Sequence, residues 1–515
     1  MQLSDNFEKI RSLDKEQRHL ERVVSALNWD METYLPPQGV EGRTEQLALL
    51  EGIAHQRLTS AETGRLLAEL GSSADNPGGD EKLPALERDF LRVMRRRYDK
   101  AVKLPSDFVS DSARAEGLSI AAWAQARRDN DFAAFLPHLK KMIGIARKKA
   151  DYWGFADRLY DGLLDIYEPG MGAAEIGPLF AVLRERLTSL LRDIQDRGAP
   201  DTSFLKESFP VEKQKVFFKK LLDYLGFDRQ RGRMDASAHP FAATLGANDI
   251  RITTRYFKDN LLSGLFSVIH ETGHALYEMG FPPELHGTCL AEGASMAIHE
   301  SQSRLWENVV GRSLPFWKGL FLQLQSSFPQ QLALVSVEKF YRAVNEVKPS
   351  LIRVDADEVS YGLHIILRFE LEQGLISGEI APEQLPEIWR EKIKEYLGIE
   401  IDPASPRSDA DGVLQDIHWS MGGFGYFPSY LLGNLYSLHF FRKIKSDISG
   451  FDDLLGNVYS VAGKNLAPLR NWLRDNIYVW GCRLEPAQLL EKVTGEKLSP
   501  DPFLEYLEEK YIRYV

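Results

Sequence analysis

Cysteine is nearly missing from this chain of 515 residues, where only Cys289 and Cys482 could pair. A single bridge is too little to hold a secreted scaffold together, and such sparseness suits a reducing compartment. Basic charge is not in excess either: 63 lysines and arginines face 74 aspartates and glutamates, a net charge of −11. That balance does not favour gripping phosphate backbones, so nucleic acid is not an expected partner. Long apolar runs are also lacking. The least polar one, "YFPSYLLGNLYSLHFF" from Tyr426 to Phe441, is shorter than a bilayer span and is interrupted by Pro428, Gly433, Asn434 and His439, so it reads as a buried helix. The opening "MQLSDNFEKIRSLDKEQRHLER" has no apolar centre of the kind a signal peptide carries. A cytoplasmic location without membrane association is the expectation.

What is present points to helices. The 44% hydrophobic content can fill a large core, and although the length allows about three domains' worth of chain, large helical proteins often form one body. Apolar residues recur at three- and four-residue intervals in "FLPHLKKMIGIARKKADYWGF", "EIGPLFAVLRERLTSLLRDI" and "EKQKVFFKKLLDYLGF", which predicts a mainly α fold. There is no internal repeat. Breakers and charge gather in Gly71 to Pro84 and in Arg192 to Phe204, the best linker candidates. One stretch departs from the helical period: "NDIRITTRYF", Asn248 to Phe257, alternates enough to predict a short strand or hairpin. Eight of the eleven histidines lie between His239 and His439, so chemistry is expected in the C-terminal half.

In "LFSVIHETGHALYE", Leu265 to Glu278, two histidines stand four residues apart. Asp259 or Asn260 can cap the helix, and Gly280, Pro282 and Pro283 can end it. At about 100° per residue His270 and His274 share one face, with Glu271 roughly 60° beyond His274. Two neutral imidazoles then suit zinc, and the carboxylate can take a proton from a water that the metal acidifies. This is the H-E-x-x-H pattern of zinc peptidases. The bland alternative is a buried helix with two structural histidines. Two donor nitrogens need a third ligand, for which Glu292 and Glu300 compete in "LAEGASMAIHESQSRLWE". Glu292 would occupy a first helical turn, where a carboxylate is stabilised without metal. Glu300 would sit deeper, behind Ala291, Gly293, Ala294, Ser295 and Ala297, small residues that let two helices come close. Glu300 is preferred; its bland reading is a solvated carboxylate paired with Arg304. The donor set would also accept Co²⁺ or Mn²⁺.

Further polar stretches interrupt apolar surroundings: "HPF" at His239, "DIRIT" at Asp249, "HES" at His299, "IRVDAD" at Ile352 and "GVLQDIHW" at Gly412. With "HETGH" they closely resemble, in order, the signatures of the thermostable (Taq-type) carboxypeptidase family of zinc metallocarboxypeptidases. The N-terminal "NWDMETYLPPQG" from Asn28 is also similar to that family. The resemblance implies a large helical body related to neurolysin and angiotensin-converting enzyme, with a deep groove, one zinc on its floor and a small β-ribbon near the metal. Residues 1–515 would form one peptidase domain, or two subdomains flanking the groove, with the active-site motifs in 239–430. It implies a homodimer that releases single amino acids from peptide C-termini, and it places the third metal ligand on Glu300.

An exopeptidase of this kind must recognise a terminal carboxylate, which arginine's planar fork does well. The resemblance assigns this to Arg353, beside a helix start that Asp355 and Glu358 could cap; pairing with Asp355 or Asp357 is the bland reading. It further implies that the "DIRIT" segment is a loop closing one end of the groove through Asp249, Arg251 and Thr253, with His239 and Gln415 among the substrate contacts. In "GVLQDIHWSMGGFGYFPSY", Gly422, Gly423 and Gly425 allow close approach, and Tyr426 or His418, with Tyr430 in reserve, could donate to the oxyanion. An aromatic cluster around Trp419 is the competing reading. An oligopeptidase or dipeptidyl carboxypeptidase on the same scaffold is the alternative function.

Overall fold

The helical period read from the sequence is realised along most of the chain in the computed structural model, which describes residues 2–155, 157–456 and 466–514. Three long helices are apolar on nearly every side and therefore lie inside the molecule. They are the motif helix Leu261–Met279, the helix Ser360–Ser377 and the helix Phe427–Asp447. The last contains most of the least polar run, and its Leu431, Leu435, Tyr436 and Phe440 are completely buried. No helix among the described residues is long and apolar enough to cross a membrane.

The ends of the motif helix follow from its residues. The Asn260 side chain accepts a hydrogen bond from the Ser263 amide, and the helix stops at Gly280 before the prolines. The Glu300 helix is Met296–Arg304, capped by Ser295, and it continues into a π-helical turn at Leu305–Val310. Glu292 therefore lies ahead of this helix and not in its first turn, and it pairs with Arg18 of the N-terminal helix.

The segment read as a strand or hairpin is β3 (Asp249–Thr254), the centre of a three-stranded sheet. β2 (Ala242–Gly246) pairs with it antiparallel, and β1 (Gly232–Ala236) adds in parallel on the other side. Alternation sorts the side chains of β3. Ile250 and Ile252 enter the main core, and the Thr254 hydroxyl donates to the Gly264 carbonyl of the motif helix at 3.2 Å. The opposite face meets the long helix Gln2–Thr33, where the Arg251 guanidinium lies 4.3 Å from the Trp29 ring centre and Tyr34 donates to Asp235 at 2.7 Å. This gives the N-terminal "NWDMETY" stretch its place in the fold.

Buried apolar side chains form one large cluster and a smaller one built on Phe7, Ile10, Leu66, Phe90 and Leu290. Neither breaker-rich stretch separates the two. Leu70 and Leu83 both belong to the small cluster, and Leu191 and Phe204 both belong to the large one. The cysteines are unbonded, with the Cys482 thiol donating to the Cys289 carbonyl at 3.1 Å.

Candidate active site

His270 and His274 do share one face of the motif helix, and Glu300 comes up between them from the neighbouring helix. Glu300 Oε2 lies 3.6 Å from His270 Nε2 and 3.5 Å from His274 Nε2. These three are the group of donors close enough to hold one ion among the described residues. Atoms bound tetrahedrally to one zinc at about 2.0–2.1 Å stand roughly 3.3 Å apart, so the donors fit such an ion with little adjustment.

The close approach has a cause that the small residues ahead of Glu300 did not reveal. Gly273, inside the H-E-x-x-H motif, faces the Glu300 helix so tightly that a Cβ there would lie 2.6 Å from Ser303 Cα and 2.7 Å from the Gln302 carbonyl oxygen. From the other side a Cβ on Gly433 would meet Glu300 Cβ and Cγ at 2.7 Å. The Glu300 helix is thus pressed between two glycines.

Outer partners orient the ligands. His270 Nδ1 bonds Glu307 Oε2 at 2.9 Å, and Glu307 is held by Arg304 and Arg312. His274 Nδ1 meets His299 Nδ1 at 2.6 Å, and His299 Nε2 meets Glu278 at 3.0 Å. If Glu278 accepts from His299 Nε2, then His299 Nδ1 is an acceptor and His274 carries its proton on Nδ1, leaving Nε2 free as a ligand. Both imidazoles thus turn Nε2 inward. Burial lowers the His274 pKa to about 3, which keeps the ring neutral, while Glu300 and Glu307 overcome burial at His270 and raise its pKa. Arg304 Nε donates to Glu300 Oε1 at 2.7 Å. The pair expected of a solvated carboxylate is real, but it is buried, and with the histidines it holds Glu300 well below the usual range. Glu271 is buried as well, and burial pushes its carboxyl up to about 7 despite His270, which suits a proton acceptor working near neutrality.

Arg353 is buried, but its partner is neither Asp355 nor Asp357. Its Nε and Nη2 donate to Asp416 Oδ1 at 3.0 and 2.9 Å, and Nη1 donates to the Tyr361 hydroxyl at 3.2 Å. Asp416 also receives Arg368, from Nε at 2.7 Å. Two guanidiniums on one carboxylate leave a buried positive charge uncompensated within this group, a costly state that a substrate carboxylate would relieve. The expected cap is corrected too. Asp357, not Asp355, takes the amides of Val359 and Ser360, both at 2.9 Å, whereas Glu358 is buried against Lys510 and Tyr511. Those amides are therefore not open to an anion.

The remaining residues are placed as follows. Gln415 is fully engaged with the chain, accepting from the Arg353 amide at 2.8 Å and donating to the carbonyls of Leu351 and Asp411. It fixes the Arg353 turn rather than offering a free amide. "DIRIT" is a strand and not a loop: Asp249 and Arg251 pair with each other through two 2.8 Å contacts, and Thr253 is buried, its hydroxyl bonded to Ser237 and Phe241. His239 is exposed in the bend between β1 and β2. His418, Tyr426 and Tyr430 do form an aromatic cluster, with ring centres 5.1 Å apart for the two tyrosines. His418 Nε2 lies 3.2 Å from the Tyr430 hydroxyl, while its Nδ1 is buried without a partner among the described residues. Burial takes the His418 pKa down to about 3, so the ring is neutral. If Tyr430 donates to Nε2, the proton sits on Nδ1 as an unused donor.

Asp416, Arg368, Tyr361, Glu307 and Arg312 were not singled out from the sequence. Only Asp416 had a signal, as the neighbour of Gln415 in "GVLQDIHW".

A family model described as carboxypeptidase Taq (M32) metallopeptidase matches residues 9–511. Thermostable carboxypeptidase 1 of Thermus thermophilus is 42% identical over 98% of both chains, and carboxypeptidase 1 of Bacillus subtilis is 38% identical over 96% of this chain and 95% of its own. Among solved structures, an M32 carboxypeptidase from Deinococcus radiodurans superposes with a TM-score of 0.93 at 37% identity, covering 98% of this chain and 99% of the other. Metallocarboxypeptidase 1 of Trypanosoma cruzi gives 0.91 at 33% identity, with coverage of 98% and 99%.

Proposed function

The chain belongs to the carboxypeptidase Taq (M32) family of metallopeptidases, and from that premise we propose a zinc carboxypeptidase that removes one residue at a time from peptide C-termini. The observation that carries this reading is the pairing of two features. One is the His270, His274, Glu300 donor set with Glu271 beside it; the other is the net positive Arg353–Asp416–Arg368 group.

Zinc bound to those donors would supply the Lewis acid that makes water a nucleophile at neutral pH. Glu271 accepts the proton of the attacking water and returns it to the nitrogen as the peptide C–N bond breaks. Arg353, steadied by Asp416 and Tyr361, holds the terminal carboxylate and so selects the last bond. His418, together with Tyr426, donates to the carbonyl oxygen as it gains charge. Tyr430 orients His418. The Asp249–Arg251 pair limits how far a peptide extends past the cut, with buried Thr253 bracing the strand through Ser237 and Phe241, and with His239 beside them; the three-stranded sheet supports this.

Two nitrogens and one carboxylate support zinc, with Co²⁺ or Mn²⁺ as substitutes. Two unbonded cysteines support a cytoplasmic setting, and the homodimer rests on family resemblance. The test uses an N-blocked peptide with and without chelator, its products identified by mass. Stepwise loss of single C-terminal residues, abolished by chelation, is expected; efficient cleavage of C-terminally amidated peptides would instead indicate an oligopeptidase. Glu271→Gln should keep fold and metal yet lose at least about a hundredfold in kcat, and normal turnover in that protein would remove the mechanism.

A further inference from the structure

Glu372 is completely buried in the helix Ser360–Ser377 and lies outside the metal ligands and their partners. Three separate segments donate to its carboxylate. The Trp419 indole reaches Oε1 at 2.9 Å, and the Tyr160 hydroxyl and the Gly425 amide reach Oε2 at 2.8 and 3.0 Å. Trp419 directly follows His418, and Gly425 directly precedes Tyr426. The two ends of the glycine-rich segment between the proposed oxyanion donors are thus tied to one carboxylate.

The seat of this segment converges on the same point. Gly425 has φ +86°, and a Cβ there would lie 2.7 Å from the Leu163 carbonyl carbon, so the backbone presses directly on the short helix Leu159–Leu164 that supplies Tyr160. Only a group with two acceptor oxygens can serve indole N–H, amide N–H and hydroxyl together. A glutamine would turn its own N–H against either Trp419 or Gly425.

We infer that Glu372 is a positioning residue that sets His418 and Tyr426 at the distance needed to stabilise the transition state. This rests on the reading of those two residues in the proposed function. Glu372 touches neither the reacting atoms nor the metal donors, so its removal should weaken transition-state binding while leaving ground-state binding in place.

The test measures Glu372→Gln for zinc content, thermal unfolding, kcat and KM on a blocked peptide, and affinity for two inhibitors. One is a phosphonate peptide that mimics the tetrahedral state, the other a product-like blocked amino acid. The expected result is unchanged zinc content and a kcat lower by about tenfold or more, with KM within about threefold. Phosphonate affinity should fall in step with kcat, and product affinity should hold. Normal kcat in the folded, zinc-loaded variant overturns the inference, as does a parallel fall of kcat, product affinity and zinc content. If Glu372→Gln does not fold, Tyr160→Phe decides by the same readouts, because it keeps the carboxylate and removes one anchor; a several-fold selective loss of kcat is then expected, and no loss overturns the proposal. Tyr426→Phe and His418→Ala are measured alongside. If both leave kcat intact, the oxyanion reading itself has failed; if they lower it and Glu372→Gln does not, only the role of Glu372 has failed.

Discussion

Glu307 shows how a single residue can govern a metal it does not touch. It bonds His270 Nδ1 at 2.9 Å while Arg304 and Arg312 donate to it, and although burial pushes its pKa up, His270 and the arginines hold it at about 2. It is therefore an anion that fixes the ring and raises the basicity of the nitrogen facing the ion. Glu307→Gln has nearly the same shape but no charge, and its amide N–H would meet donors. Metal affinity should fall about 10- to 100-fold, measured by competition with a chromophoric chelator, while the folded state persists; unchanged affinity would show that the helix alone orients His270. His270 and His274 were legible because four-residue spacing on a helix is a geometric statement; Glu300 was preferred for the small residues before it, whereas its close approach comes from Gly273 and Gly433. Glu307 and the Arg353–Asp416 pair were not legible, since no spacing rule links side chains that meet only through tertiary packing. Asp355 was expected as a cap because an acidic residue near a helix start is sensible there, yet Asp357, two residues later, holds the first amides.

At the level of elements, the metal site is a contact between two helices, and its tightness resides in glycine. Gly273→Ala places a methyl 2.6 Å from Ser303 Cα, a backbone atom that cannot rotate away. The helices must separate, which should cost about 1–3 kcal/mol of stability and draw Glu300 Oε2 away from the 3.5–3.6 Å spacing to the imidazoles. Gly433→Ala should act from the opposite side, against Glu300 Cβ. Both variants are expected to lose metal affinity together with stability, read by chelator competition and denaturant unfolding. Loss of stability with full affinity would mean that the Glu300 helix slides without disturbing its ligand. The helices and β3 were readable from period and alternation. The other two strands were not: β2 ("AATLG") lies before the stretch read as a strand, and β1 ("GRMDA") offers little β-branched or aromatic content and pairs in parallel with β3, eighteen residues on by the Gly232 to Ile250 register. The glycine in "HETGH" fills one of the pattern's free positions, so its packing role appears only when the partner helix is in place.

For the whole molecule, buried carboxylates away from the metal decide how stability follows pH. Glu168 joins three parts of the main core: it accepts from the Ala297 amide at the start of the Glu300 helix and from the Ser429 hydroxyl of Phe427–Asp447, both at 2.7 Å, and it lies just beyond Leu159–Leu164. Both bonds go to Oε1, and Oε2 has no partner among the described residues. Burial therefore outweighs those bonds and raises its pKa from 4.5 to about 7. Between those values the folded state binds more protons than the unfolded state, so the contribution of Glu168 is fully present below about pH 4.5 and is lost as pH rises to about 7. The loss is at most about 3 kcal/mol. Glu168→Gln should keep both Oε1 bonds with its carbonyl and replace the unpartnered oxygen with an amide that does not ionise. Urea unfolding of both proteins at pH 5 and pH 8 isolates this effect, since every other titrating group is shared. The variant should gain on the native protein by about 2.5 kcal/mol from pH 5 to pH 8, and parallel curves would show that Glu168 is already charged in the folded state at pH 5. Glu372, whose pKa burial also raises to about 7, should lose some stability on the same exchange while staying folded, because both of its oxygens are in use.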